Sequence, residues 1–216
     1  MFIKSWAHIC KLNEPLTGTL PEELTPVINR TVIDLHVADL ESKMLELNEP
    51  RTLELPPVTK TGSGLVRLTL ELTREHIDKL KERAESEVTR LLSTFVVASA
   101  YLWSCLVKAR GGDADRPVAF MYAADFRNRL NRPVPDNYFG NCVFPIGCFG
   151  YEAKMLMGED GFVNAVKILT DSVRDLGSRG IETVCELYVD GIKNLKPGTQ
   201  IDSVSIRGGF WVGETG

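Results

Sequence analysis

One stretch constrains the fold more than any other. Residues 93–112 read STFVVASAYLWSCLVKARGG. Ser93 or Thr94 can cap a helix, and Lys108 and Arg110 stand in its last turn before Gly111. The body between them is almost wholly apolar, so this helix must be buried on nearly every side. It does not suit a membrane. The apolar run from Phe95 to Val107 is interrupted by Ser99 and Ser104 and is too short to span a bilayer. The chain therefore has to build a globular core around it. With 216 residues, 44% of them hydrophobic and 25% charged, there is enough sequence for one or two compact domains.

The surrounding patterns supply both strands and helices. GLVRLTLEL (64–72) alternates through Val66, Leu68, Leu70 and Leu72 and predicts a strand. TREHIDKLKERAESEVTRLL follows, with Thr73 as cap and Ile77, Leu80, Ala84, Val88 and Leu91 on one helical face. PVAFMYAADF (117–126) predicts a second strand. NYFGNCVFPIGCFGYEA (137–153) predicts a third, broken by Gly140, Pro145 and Gly147. GEDGFVNAVKILTDSVRDL predicts a helix with Phe162, Val166, Leu169 and Val173 inward. Residues after 180 read as short and mixed. Residues 14–62 carry six prolines and no long periodic run, so they read as a crossover or linker with a short strand near Thr31–Ile33. The order of elements is mixed, not strictly alternating. That favours an α/β fold of the α+β layered kind, a mixed sheet with flanking helices, over a doubly wound sheet. At the start, MFIKSWAHIC places Phe2, Trp6 and Ile9 on one helical stripe with no capping residue before it, as if the chain began inside an element.

Charge and reactive groups narrow the function classes. A net charge of −4 argues against a nucleic-acid binder. No secretory leader pattern is read at the start. Five cysteines (Cys10, Cys105, Cys142, Cys148 and Cys185) form no CxxC pair, which suits a reducing, cytoplasmic setting and predicts neither metal nor disulfide. His8, His36 and His76 are each followed four residues on by leucine, so none forms an HxxxH metal pair, and no GxSxG supplies a nucleophilic serine. Cys142 reads as a buried strand thiol. Two features can meet an anion. DFRNRLNRP (125–133) places Arg127, Arg129 and Arg132 at a strand end, where they either bind phosphate or carboxylate or sit solvated beside Asp125. The first turn of the 93–110 helix, with Ser93 and Thr94, either binds phosphate through free amides or is simply capped.

Several blocks together resemble the plant BAHD acyltransferases: SWAHICK, INRTVI, STFVVASAYLWSCLVKAR, DFRNRLNRPVPDNYFGNCV and GIKNLKPGT, in the family's order from residue 1 to about 200. The closest group acylates anthocyanin, flavonoid and phenolic glucosides, many members using malonyl-CoA. The resemblance implies the second half of a two-domain family with a chloramphenicol-acetyltransferase-like domain. Residues 1–13 would be the tail of an N-terminal-domain helix, 14–62 the crossover, and 63–216 the C-terminal acyltransferase-type domain. It implies acyl transfer, malonyl for instance, from acyl-CoA as co-substrate to a hydroxyl of a phenolic or flavonoid glucoside. No further cofactor, nucleic acid or membrane is implied. In the family, a histidine of an HxxxD motif is the general base. This chain holds no HxxxD; His36 and Asp39 are one residue too close. The family's DFGWG turn is also missing from residues 201–216. No catalytic residue is therefore assigned. The acyl-CoA-binding positions implied by the resemblance are Ser93, Thr94, Arg127, Asn128, Arg129 and Asn141. The expectation is a truncated acyltransferase, inactive alone; the alternative is a non-catalytic half-domain that binds CoA or a partner chain.

Overall fold

The computed structural model describes residues 2–11, 20–29, 42, 69–85, 92–130 and 132–204, and the backbone of 210–214. Helix α1 (Phe2–Lys11) comes first, and a short 3-10 turn (Glu22–Leu24) follows it. Then come α2 (Arg74–Glu85), α3 (Thr94–Arg110), β1 (Pro117–Asp125) and β2 (Val143–Glu152). They lead into α4 (Lys154–Met157), α5 (Gly161–Asp175), α6 (Ile181–Lys193), β3 (Gln200–Val204) and β4 (Phe210–Glu214). The strands form one mixed sheet in the order β2-β1-β3-β4. β1 is antiparallel to β2 and parallel to β3, and β3 is antiparallel to β4. The layered, mixed α/β class expected from the sequence is what the chain adopts.

The all-apolar helix is α3, and its ends close as its spelling predicts. Ser93 Oγ accepts the Val96 N–H at 3.2 Å, and the Gly111 N–H returns to the Lys108 carbonyl at 3.1 Å. Its buried face (Val96, Val97, Ala100, Trp103 and Val107) joins Val118, Phe120 and Tyr122 of β1 in the main core. The Trp103 and Phe120 rings lie 5.2 Å apart, a tilted pair that adds geometry to area burial. α5 lays Phe162, Val166 and Leu169 into the same core, with Val173 partly buried beside them. α2 adds Ala84 to it. Arg83 donates to the Glu159 carbonyl (2.9 Å) and lies over the Phe162 ring, tying α2 to the start of α5.

Three sequence expectations change. Residues 69–73 form no strand, and Leu70 and Leu72 are exposed; the rest of 64–72 lies outside the described residues. Alternation marks a strand only where a partner strand exists to pair with it. The third strand begins only at Val143, after Gly140, and is not broken further. It runs unbroken through Pro145 and Gly147 because β2 is the sheet's edge, where a missing N–H leaves no ladder bond unmade. A register shift opposite Val118–Phe120 bulges β2, and Gly150 takes the positive φ of 83° found there. Residues 181–193, read as mixed, are helix α6, which covers the edge strand by stacking Tyr188 on Phe144 (5.6 Å) and Phe149 (6.1 Å). The strand expected at Thr31–Ile33 and most of the 14–62 crossover lie outside the described residues. Where that segment is described, Val27 bridges Tyr138 in parallel. The Asn137 side chain donates to the carbonyls of Glu22 (3.3 Å) and Thr25 (2.8 Å).

Candidate functional site

The six positions expected to meet acyl-CoA fall on two structures: the 16-residue stretch from Phe126 to Asn141 that leaves β1, and the start of α3. The loop is built, not loose. It begins with an Asx turn, the Arg127 N–H on Asp125 Oδ1 at 2.9 Å, followed by the Arg129 N–H on the Phe126 carbonyl at 2.9 Å. It closes where the Phe126 N–H meets the Cys142 carbonyl at 2.8 Å. Asn141 Oδ1 accepts the Val143 N–H at 3.1 Å and starts β2. Under the loop a small second core of Val134, Tyr138 and Cys142 fixes its underside. Gly140 is confined to glycine, since a Cβ there would enter the Tyr138 ring.

Arg127 holds the loop together. Its guanidinium donates to the carbonyls of Tyr138 (2.9 Å) and Gly140 (3.1 Å), and its Nε sits 3.8 Å from Asp125 Oδ2. Two of its five donors therefore serve the protein's own backbone. Arg129 is bound more lightly, through Nε to the Asp125 carbonyl at 3.2 Å, and is exposed, as are Asn128 and Arg132. The three arginines read alike in sequence divide in the fold: Arg127 braces the loop, while Arg129 and Arg132 face solvent.

The second anion candidate lies close by. Phe95, in the first turn of α3, packs on Tyr122 of β1 with ring centroids 5.4 Å apart. Tyr122 in turn feels the Arg129 charge. Burial pushes its phenol up to about 12, opposed by its hydrogen bond with Ser172 (2.9 Å) and by Arg129. Tyr122 thus sets the helix start against the part of β1 that leads into the loop. Ser93 and Thr94 are exposed, and the Ser93 hydroxyl is engaged as the helix cap. Beside the loop lies a cavity of about 460 Å³ lined by Arg127, Asn128, Val134, Pro135, Tyr138 and Phe139 together with Phe2 and Ile3 of α1. A second groove, about 540 Å³, lies between β2, α5 and α6 and includes Pro117 and Val118 at the opposite end of β1.

Among the described residues no nucleophile or base is assembled here. Burial raises the Cys142 thiol, and raises Cys148 to about 11, so both stay protonated at neutral pH. His76 serves a helix start: Thr73 Oγ1 accepts the His76 N–H and His76 Nδ1 accepts the Thr73 N–H, each at 3.3 Å, a reciprocal cap. His8 is half-buried on α1, and His36 lies outside the described residues. Among the described residues no three His, Cys, Asp or Glu side chains gather to hold a metal, and no helix is long and apolar enough to cross a membrane. Sequence reasoning missed Tyr138 and Gly140, the two residues whose carbonyls Arg127 grips. The YFG spelling was their signal.

Comparison with known proteins adds identity to this geometry. The family model described as the Transferase family matches residues 1–174. The chain is 54% identical over 220 residues to a BAHD acyltransferase of Arabidopsis thaliana, covering 96% of this chain and 47% of that protein. It is 50% identical to agmatine coumaroyltransferase of the same plant, covering 93% of this chain and 46% of the relative. It is 41% identical to the plant's phenolic glucoside malonyltransferase 2, covering 94% and 46%. The chain spans about half the length of these relatives. Among solved structures, vinorine synthase resembles 62% of this chain with 30% of its own, at 19% identity and a TM-score of 0.49.

Proposed function

The chain belongs to the BAHD acyltransferase family, and from that premise we propose that it forms the donor-binding, carboxy-terminal half of an acyl-CoA-dependent acyltransferase. The observation that carries this is identity of 41–54% to three acyltransferases over more than nine-tenths of the chain. The braced loop supports it. Arg127 holds the backbone from Phe126 to Asn141 in place, and Asn128, Arg129 and Asn141 then meet the CoA phosphates or pantetheine amides from a fixed platform. The start of α3, with Thr94 beside the Ser93 cap, adds exposed backbone amides as a second anion contact. Residues 63–216 are the acyltransferase-type domain, preceded by the 14–62 crossover and the 1–13 helix of the other half. Five free cysteines support a cytoplasmic setting.

In the reaction the acceptor attacks the thioester carbonyl, the C–S bond breaks, and CoA leaves as its thiol once the acceptor proton is passed on. A general base is needed for that proton. None of the three histidines here has aspartate four residues on, so this half contributes donor binding and orientation and does not turn over alone. The acceptor is a hydroxyl of a phenolic or flavonoid glucoside, with malonyl as one acyl group. A second reading, an amine acceptor with a coumaroyl donor, is favoured by the higher identity to agmatine coumaroyltransferase (50%) than to the glucoside malonyltransferase (41%). Equilibrium dialysis of the chain against coumaroyl-CoA and malonyl-CoA, with free thiol followed in the presence of agmatine or a phenolic glucoside, tests both. Donor retention without thiol release is expected. Absence of retention contradicts the proposal, and thiol release that His36→Ala abolishes contradicts the assignment of the base to the other half.

A further inference from the structure

Asn137 stands where two distant parts of the chain meet. Its side-chain amide donates to the carbonyls of Thr25 (2.8 Å) and Glu22 (3.3 Å), 112 and 115 residues away in the chain. Both amide protons are thereby committed to backbone oxygens of one segment. The backbone repeats the join. The Val27 N–H donates to the Asn137 carbonyl at 2.9 Å, and the Phe139 N–H donates to the Val27 carbonyl at 2.8 Å. Val27 also packs on the small core of Val134, Tyr138 and Cys142. The segment is held in turn by α1, whose Ser5 Oγ donates to the Leu24 carbonyl at 2.6 Å.

This join falls within the stretch that Arg127 grips. Arg127 takes the carbonyls of Tyr138 and Gly140, and Val27 takes the groups between and before them, the Phe139 N–H and the Asn137 carbonyl. Asn141 follows directly and starts β2. Without the segment 20–29, the stretch 137–140 loses one of these two anchors. We propose that Asn137 is a positioning residue for the acyl-CoA donor: it locks the segment 20–29 to the loop and so fixes the platform from which Asn128 and Asn141 meet the donor. The inference rests on the donor-binding reading above. Asn137 does not itself touch the donor and acts through the loop backbone. A neutral amide suits the place. Glu22, Glu23 and Asp136 line one shallow depression with it, so a carboxylate at 137 would face these three as well as two carbonyl oxygens. Coupling of this kind is reciprocal. If the join tightens donor binding, bound donor tightens the join, and the exchange of the Val27 and Phe139 amides with solvent reads it.

The test is a CoA titration, followed by amide shifts, of the wild-type chain, Asn137→Ala, Asn137→Asp and Val27→Pro, the last removing the Val27 N–H. All are measured well below their melting midpoints. Asn137→Ala and Val27→Pro are expected to raise the CoA Kd about fivefold, and Asn137→Asp to raise it further. In the wild-type chain, saturating CoA is expected to slow exchange at Val27 and Phe139 by about the same factor, an arm that needs no variant to fold. Asn164→Ala removes a side-chain bond of like length, to the Met155 carbonyl (2.9 Å), and leaves the Kd unchanged. A bond that only stabilised the fold would move the melting midpoint and neither of these readings. A wild-type Kd in both Asn137 variants, or exchange at Val27 and Phe139 indifferent to CoA, overturns the proposal and leaves the donor-binding reading standing. A wild-type chain that binds no CoA removes that reading, and this proposal with it.

Discussion

Replacing Arg127 by methionine keeps most of the aliphatic stem and deletes the guanidinium. Two hydrogen bonds are lost, to the Tyr138 and Gly140 carbonyls, and the 3.8 Å contact with Asp125 goes with them. A hydrogen bond from a charged donor contributes about 1.5–3 kcal/mol when buried. The Arg127 side chain is 36% exposed, so water replaces part of each bond. The exposed ion pair with Asp125 adds close to nothing. Halving the two hydrogen bonds leaves an expected loss of about 1.5–3 kcal/mol. Arg129→Met removes one exposed contact to the Asp125 carbonyl and is expected to cost under about 0.5 kcal/mol. Urea denaturation followed by tryptophan fluorescence measures both, because Trp103 lies in the core that melts. Equal costs for the two variants, or no cost for Arg127→Met, would refute the division of the arginines into one brace and two solvent-facing groups.

Ser93→Ala removes the cap of α3 and should cost about 1 kcal/mol in the same urea assay, while Ser93→Gly costs only a few tenths. Asp202 is fully buried on β3. Burial raises its carboxyl above the ordinary range, against the Gln200 amide bond at 2.7 Å and the Arg110 and Arg116 charges. Because the folded value lies above the unfolded one of about 3.9, this group's contribution is complete below that pH and is lost as pH rises through the folded value. Asp202→Asn should therefore flatten the fall in stability as pH rises from about 4; an unchanged slope would show that another group is responsible. Aromatic disulfide reagents should modify exposed Cys10 at once and half-buried Cys105 more slowly, leaving Cys142, Cys148 and Cys185 silent until unfolding. Rapid loss of a third thiol in the native protein would contradict the packing described for Cys142, Cys148 and Cys185.

Much of the fold is legible where the signal is local. The α3 spelling carries its own cap, its own stop and its demand for burial, and Thr73 announces the start of α2 in the same way. What local spelling lacks is the partner. Leu70 and Leu72 alternate like strand residues yet stand exposed, with no strand beside them among the described residues. Pro145 reads as a break, and only its place on an edge makes it harmless. α6 was hidden because its buried residues, Val184, Cys185 and Val189, are few and Gly191 follows close behind them; the i,i+4 pairs Val184–Tyr188 and Cys185–Val189 were the overlooked sign. The arginine cluster was visible as a cluster. Which arginine braces the loop was not, because the carbonyls it grips arrive 11 and 13 residues later.

The most direct test of the donor-binding account is a CoA titration of isotope-labelled protein at low salt, read by amide shifts. Half a site leaves much of the ligand in water, so the expected affinity lies between about high micromolar and millimolar, roughly 4–6 kcal/mol, and weakens as salt screens the phosphates. The account predicts shifts gathered at Ser93, Thr94, Asn128, Arg129 and Asn141 that fade with added salt and shrink in Arg127→Ala. Shifts centred instead on the groove between β2, α5 and α6, or none at several millimolar CoA, would contradict it.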